Sequence, residues 1–339
     1  MGRYVTARHK SITLCLKTHP HYLSLRELYD FMVIPNEPSD ISEDRFVLVV
    51  PTINRPILLR ELLQSVNSGL VLPKAIFILD ASDSFVDAAR DFPKLNIQHV
   101  HSEIKSAAAQ RNRGIELSLS IVQDFEFIAF LDDDILIDSR YFANVSQRFK
   151  ENPDFVGISG IALNSETKQR QRSIITDAFG LTGKAGSITK ALVNISPEGI
   201  SNFEEVGWLI GCSVWRRQVI EQIRFEDDFS GQSIFEDVIF SYRARLLGRL
   251  GVDPNITIKH ALSEVGRPNS KRHAYFWVCN RYRLFRYSKK EFSQSRFWIL
   301  NLILFGASAI RGIVQPHQRG RAIGLFCGTV EVLREKILV

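Results

Sequence analysis

Phe46-Val-Leu-Val-Val-Pro-Thr-Ile-Asn-Arg55 decides the fold. Phe46 to Val50 is apolar without a break, so the segment has no solvent face. A short run of this kind reads as a strand buried on both sides, the pattern of parallel sheets. Helical spacing follows from Leu58 to Val66, and the alternation then repeats along the chain. Ala75 to Leu79 is a second strand, ending at Asp80. Phe85 to Phe92 reads as a short helix and Asn96 to Val100 as a third strand. Lys105 to Val122 is a longer helix, and Phe127 to Leu131 a fourth strand that runs into Asp132-Asp133-Asp134. Strands alternating with helices predict a Rossmann-like α/β fold, a mostly parallel central sheet with helices on both faces. Such sheets bind ligands at the carboxyl ends of their strands, where Asp80 and the three aspartates lie.

Beyond residue 150 the pattern loosens. Phe155 to Leu163 and Val206 to Trp215 read as strands, with a polar loop from Asn164 to Asn202 between them. Phe235 to Leu247 is helical, with Glu236-Asp237 in its first turn. Ile256 to His260 is a strand, and Lys271 to Tyr287 a basic, aromatic helix. The expected organisation is an N-terminal extension over 1–45, a catalytic body over 46–288 and a helical appendage over 289–339.

The chain has 339 residues, 45% apolar and 24% charged, which excludes a disordered chain and a multi-pass membrane protein. Its four cysteines, Cys15, Cys212, Cys279 and Cys327, stand singly. That pattern argues against a zinc knuckle or a disulfide framework and fits a reducing compartment. The net charge of +6 is uneven. Arg267 to Val339 holds 14 Lys or Arg against Glu291, Glu331 and Glu335, a balance of +11 that leaves the rest at −5. A basic tail on a mildly acidic body suits an anionic surface. Phe297 to Ile310, the most apolar segment, is shorter than the roughly 20 residues of a spanning helix. In Phe297 to Gln315 the polar residues Asn301, Ser308, Arg311 and Gln315 share one helical face, and in Arg321 to Val339 the residues Ile323, Phe326, Val330, Leu333 and Ile337 share another. Two such helices suit an anionic membrane surface, or packing on the body or on a second subunit of a homo-oligomer.

Chemistry centres on the aspartates. Along an extended strand alternate side chains share a side, so Asp132 and Asp134 point one way. Two hard oxygen ligands so placed suit Mg²⁺ or Mn²⁺, which also take substrate phosphates; a solvated acidic turn is the plain alternative. Asp80 at its strand end suits a base or a ribose, or an Asx turn. Glu236-Asp237 in a first turn favours the helix dipole, and the same dipole keeps a carboxylate ionised for proton abstraction. His260 closes a strand as a structural histidine or an imidazole ligand.

Taken in order, Pro51-Thr-Ile-Asn-Arg55, Asp80, Gln110-Arg-Asn-Arg-Gly114, Asp132-Asp-Asp134, Gly211-Cys-Ser213, Glu236-Asp237 and His260 resemble the family 2 glycosyltransferases over about residues 46–287. Arg272-His-Ala-Tyr to Asn280-Arg-Tyr-Arg283 looks more loosely like the rhamnosyltransferase-like, O-antigen-type branch. The resemblance implies a GT-A fold and inverting transfer of one sugar from a nucleotide-diphosphate sugar to a hydroxyl of a glycan or lipid-linked acceptor, in bacterial cell-envelope polysaccharide synthesis. By that likeness Pro51, Thr52, Asn54, Arg55 and Asp80 stand near the nucleoside, and Arg111, Asp132 and Asp133 at the donor. Asp134, Asp132 and His260 would hold Mn²⁺ or Mg²⁺, and Asp237, beside Glu236, would be the base. Gly211, Cys212 and Trp208 would face the acceptor. The family's Asp-Asp-Gly-Ser is here Asp80-Ala-Ser-Asp83, and no Gln-x-x-Arg-Trp of processive synthases is present. A cytoplasmic enzyme peripheral to the inner face of the plasma membrane is expected, with no nucleic acid as partner. The competing readings are a metal-dependent nucleotidyltransferase, which would want a Gly-rich phosphate loop near Pro51 that is not there, and a non-catalytic nucleotide- or membrane-binding module, which leaves the acidic clusters unexplained.

Overall fold

The structure is a computed structural model, and it describes residues 45–163, 179–227, 234–261 and 269–337. Apart from Arg45, the N-terminal extension lies outside the described residues, as do 164–178 of the expected loop. In chain order come β1 (Phe46–Thr52), α1 (Pro56–Asn67), β2 (Ala75–Asp80), β3 (Ile97–His101), α2 (Ala107–Ile121), β4 (Phe127–Phe130), β5 (Ile135–Ile137), α3 (Tyr141–Glu151) and β6 (Phe155–Ala162). They are followed by β7 (Glu204–Glu205), β8 (Ser213–Arg216), α4 (Arg217–Gln222), α5 (Glu236–Ala244), β9 (Arg249–His260), α6 (Ser270–Arg283), α7 (Gln294–Arg311) and α8 (Pro316–Ile337). One sheet carries the strands in the order β3-β2-β1-β4-β8-β6-β9-β5, with β7 beside β9. From β3 through β4 every pairing is parallel. The second half is mixed: β6 and β9 are parallel, while β8, β5 and β7 run against their neighbours.

β1 is buried at every position because both of its faces are covered. Val47 and Val49 pack into the layer under α2, whereas Phe46, Leu48 and Val50 pack into the layer under α1 and α3. Each such side chain contributes about 1.5–3 kcal/mol by leaving water. α1 opens on Pro56, whose fixed φ suits a first helical position, and turns Leu59, Leu62, Leu63 and Val66 inward. α2 is capped by the Ser106 hydroxyl, which accepts from the Ala109 N–H. It lies very close to β1: a Cβ on Gly114 would stand 2.3 Å from Val49 Cγ1.

The structure departs from the sequence reading in four places. Phe85 to Phe92 forms only one 3₁₀ turn, Ala89–Asp91. The strand expected over Val206 to Trp215 is confined to Ser213–Arg216. The stretch before it satisfies its backbone elsewhere: the N–H of Val206 reaches Leu250 O, that of Gly207 reaches Gly186 O, and that of Leu209 reaches Ser241 Oγ. β9 begins at Arg249, seven residues ahead of Ile256, because pairing with β6 overrides a turn-like Asp253-Pro-Asn. β5, α3, β7 and α4 were not foreseen, although Tyr141, Phe142, Val145 and Phe149 carry a legible helical face.

The C-terminal helices pack on the body. Phe297, Leu325 and Val332 join the same apolar layer as Val47 and Trp215. α8 approaches α6 so closely that a Cβ on Gly324 would fall 2.1 Å from the Lys271 carbonyl oxygen. Gly324 thus faces inward on α8, while Ile323, Phe326 and Leu333, the apolar face expected either to meet a membrane or to pack on protein, are exposed.

Candidate active site

The carboxyl ends of β1, β2 and β4 come together, as a parallel sheet dictates. Two side chains stitch them. Gln110 of α2 donates to Thr52 O (3.1 Å) and Leu79 O (2.7 Å), bridging β1 and β2. Asn54, in the left-handed region at φ 54, donates its N–H to Ser82 Oγ (2.6 Å) and exchanges side-chain bonds with Asp83. Pro51 and Thr52 therefore lie within the strand, paired with Leu79 and Asp80. Asp80 accepts from Ser82 N–H (2.8 Å) and meets His99 Nε2 at 3.1 Å. Burial pushes the Asp80 carboxyl up, but the bonds from His99 and Ser82 outweigh it and hold it below the usual range. Asp80 thus serves the Asx-turn role as well as standing at the strand end.

Each of the three aspartates has its own partners. Asp133 accepts from Thr52 Oγ1 (2.7 Å) and Arg55 Nη1 (2.9 Å). Burial lifts it to about 6 in spite of both. The same Arg55 nitrogen reaches Asp134 Oδ2 at 3.2 Å, while Asp134 Oδ1 faces His260 Nδ1 at 3.7 Å. Burial raises Asp134, and His260 opposes that rise. Asp132, the most exposed of the three, takes Arg111 Nη2 on Oδ1 at 2.7 Å. Its Oδ2 stands 3.7 Å from Cys212 Sγ.

Arg111 is the centre of the site. Its guanidinium is buried and donates to Asp132 on one side and to Glu236 Oε1, at 2.8 Å, on the other. Burial works against its charge, but Asp132 and Glu236 prevail and hold it above its ordinary value. Phe235, in front of α5, has φ 77, which is costly for a bulky residue. That left-handed turn starts the helix at Glu236-Asp237, and Asn280 Nδ2 braces it on the Ile234 carbonyl at 2.7 Å. Glu236 is buried, whereas Asp237 is only half-buried. Burial lifts Glu236 to about 8 and Asp237 to about 6. Glu236 therefore retains its proton near neutrality.

A cavity of about 430 Å³ opens beside this network, walled by Asp132, Trp208, Gly211, Cys212, His260 and the segment Asn194 to Glu198. Asp237 and Glu236 are not on its wall; they meet it through Arg111 and Asp132. A Cβ on Gly211 would stand 3.2 Å from the pinned Arg111 Nη2, so a side chain there would press on the guanidinium. Trp208 Nε1 donates to Ile195 O (3.0 Å) and so braces the same wall. The structure therefore gathers Asp132, His260, Gly211, Cys212 and Trp208 at one opening, with Asp134 buried behind His260 at 3.7 Å. Thr52, Arg55 and Asp133 back it, and Asn54 and Asp80 lie along the neighbouring strand ends. Sequence reasoning missed His99, the 194–198 wall and the bracing by Gln110, Asn112 and Asn280. Asn112 exchanges two bonds with the Phe225 backbone. Gln110, Asn112 and Asn280 lay inside recognised motifs, while the 194–198 wall had no signal beyond being polar.

Among the described residues no three His, Cys, Asp or Glu side chains converge as a metal-binding group. The carboxylates of Asp132 and Asp134 and the imidazole of His260 are of the donor type that Mg²⁺ or Mn²⁺ takes, but as they stand Asp132 and Asp134 are ion-paired to Arg111 and Arg55 at 2.7 and 3.2 Å.

The family model for glycosyl transferase family 2 matches residues 47–223. No curated protein matches in sequence. Among solved structures, TarS 1-349 from S. aureus is similar at 18% identity, covering 83% of this chain and 80% of that one, with a TM-score of 0.50. The same protein in complex with UDP-GlcNAc gives 16%, 83%, 79% and 0.52. The mannosyltransferase PcManGT from Pyrobaculum calidifontis, in complex with GDP-Man and Mn2+, gives 15%, 88%, 91% and 0.52. At these identities the likeness is one of fold, the GT-A arrangement of a central sheet between helical layers.

Proposed function

The chain belongs to glycosyl transferase family 2, and from that footing we propose that it moves one sugar from a nucleotide-diphosphate sugar to a hydroxyl of a glycan or lipid-linked acceptor, with inversion. It is a glycosyltransferase, and the nucleotidyltransferase and binding-module readings fall away. The observation that carries the proposal is the Arg111 bridge. It ties Asp132, on the cavity wall at the strand end where donors bind, to Glu236 behind that wall, the neighbour of Asp237.

In this reading Asp237 accepts the proton of the acceptor hydroxyl, because it is the less buried member of its pair and carries no ion pair of its own in the network. The acceptor oxygen then attacks the anomeric carbon from the side opposite the leaving diphosphate. The bond from that carbon to the diphosphate breaks, and its electron pair leaves on phosphate. Bound at Asp132, Asp134 and His260, a divalent cation would supply positive charge to offset that on the leaving group. Arg111 keeps Glu236 and Asp132 oriented and leaves Asp237 to face the acceptor. Thr52, Asn54 and Asp80 line the nucleoside end, and Trp208, Gly211 and Cys212 the acceptor end. Asn280, in the stretch that loosely resembles rhamnosyltransferase-like enzymes, braces the turn that starts the acid helix, which supports placement in that branch. The bodies bound by the structural neighbours, UDP-GlcNAc and GDP-Man with Mn2+, support a nucleotide-sugar donor. Among the described residues Cys212, Cys279 and Cys327 are in no disulfide, as a cytoplasmic setting allows. We place the catalytic body at 46–288 and a C-terminal helical part at 289–339.

The test is a thermal-shift panel of UDP-, dTDP- and GDP-sugars with and without Mn²⁺, followed by nucleotide release. A ligand that binds only the folded state raises its stability. A Mn²⁺-dependent shift with one nucleotide is expected. Absence of both shift and nucleotide release across the panel refutes the assignment.

A further inference from the structure

Beyond its buried start at Phe297 and Leu300, α7 is turned the wrong way for a helix in water. Asn301 and Ser308, its polar face, are 2% and 4% exposed, whereas Leu302 and Ile310 are 70% and 71% exposed. Ile313 and Val314, just past its end, are 73% and 82% exposed. A surface helix in water turns its apolar stripe to the core and its polar face outward. Here Arg281 of α6 holds the polar face in. Its guanidinium is fully buried, donates to Asn301 Oδ1 (3.1 Å) and Leu192 O (2.9 Å), and lies 3.8 Å over the Trp277 ring. The apolar stripe is left to solvent and continues onto α8, where exposed Phe326 stands 6.0 Å from Phe305.

Charge selects the occupant. α7 contains no acidic residue, and exposed Arg296 and Arg311 stand toward its two ends. The whole segment from residue 267 carries the +11 balance. A second copy would bring two such basic faces together and repel them. An anionic bilayer complements both the apolar stripe and the arginines, the pattern of a helix lying in the lipid interface. Among the described residues no helix is long and apolar enough to cross a membrane.

We propose that the exposed apolar face of α7, continued by Phe326, is a lipid-docking surface that seats the enzyme on an anionic bilayer. This surface is tied to the cavity wall. Ser293, which caps α7, donates its N–H to Lys190 O at 2.9 Å, and Arg281 holds Ala191 and Leu192. Asn194 and Ser196, just beyond, line the cavity. Docking through α7 therefore fixes the acceptor side of the cavity relative to the lipid surface, where the head group of a lipid-linked acceptor is presented.

The experiment is co-sedimentation of the full chain with phosphatidylcholine vesicles, with and without phosphatidylglycerol, at low and high salt. Sedimentation velocity of the protein alone and donor binding by calorimetry accompany it. Binding to the anionic vesicles that weakens with salt is expected. The triple variant Leu302→Ser/Ile310→Ser/Ile313→Ser, altered only at exposed positions, should lose at least about tenfold in partitioning and keep its donor affinity. Arg296→Gln/Arg311→Gln should weaken the preference for phosphatidylglycerol. Three results each overturn the proposal: no binding to anionic vesicles at low salt, equal binding by the triple variant, or a wild-type dimer that the triple variant dissolves. Donor affinity reads the transferase assignment separately, so the two can fail independently.

Discussion

Arg111→Met asks whether the site is held together by one cation. The methionine keeps much of the volume and all of the apolar stem but removes the guanidinium from Asp132 and Glu236, at 2.7 and 2.8 Å. Breaking a buried ion pair by deleting one partner costs about 3–5 kcal/mol, because the other charge is left unpaired. For 339 residues, an unfolding entropy of about 2.1 cal/mol/K per residue sums to about 0.7 kcal/mol/K, so Tm should fall by about 4–7 °C. The loss should also depend on pH. Glu236 at about 8 and Asp237 at about 6 lie above their unfolded values, so the folded state binds the extra protons. The stability these groups contribute is complete at low pH and is lost as pH rises through that window. Removing Arg111 takes away the charge that opposes this rise, so the Tm deficit should be largest near about pH 8 and shrink toward about pH 5. Glu236→Gln in the same background should recover part of it, since the remaining partner, Asp132, is partly open to water. Thermal unfolding followed by circular dichroism across that range is the assay. A Tm within about 1 °C of wild type, or a deficit that does not change with pH, would refute the claim that Arg111 organises the acids.

How much of this was legible follows from where each signal resides. β1, β2 and β4 were readable because a strand buried on both faces is apolar nearly throughout, and Phe46 to Val50 leaves no other choice. The aspartates were readable because acids at the end of such a strand are conspicuous. Their pairing was not. That Arg55 binds Asp133 and Asp134, and Arg111 binds Asp132 and Glu236, depends on contacts across 21 to 125 positions of sequence, and no local pattern encodes them. The second half was harder for a related reason. Val206 to Leu209 is apolar enough for a strand, yet its N–H groups go to Leu250, Gly186 and Ser241, so tertiary partners decide its shape. α7 shows the same limit in composition. The sequence gives two faces, but only the buried Arg281 settles which one points inward.

Three further results should follow. Asp134→Ala should abolish Mn²⁺-dependent donor binding by calorimetry, because it removes an oxygen ligand; unchanged nucleotide–Mn²⁺ affinity would count against the assignment. Gly114→Val should lower Tm by several degrees, since even a Cβ meets Val49 Cγ1 at 2.3 Å and overpacking costs about 1–3 kcal/mol; an unchanged Tm would mean that α2 can lift off β1 freely. The last concerns the base. Asp237→Asn preserves shape but cannot take a proton as a carboxylate does, so turnover should fall by roughly 10²–10⁴-fold with donor affinity nearly unchanged. In the wild type, Asp237 at about 6 is competent only when ionised, so kcat/KM should be full above that pH and fall as pH drops through it. Asp237→Asn should lose that acid limb along with its rate. Glu236→Gln, whose Arg111 contact can persist as a neutral hydrogen bond, should be milder. Near-normal turnover in Asp237→Asn would remove Asp237 as the base, and loss of donor binding would reassign it to the donor end of the site.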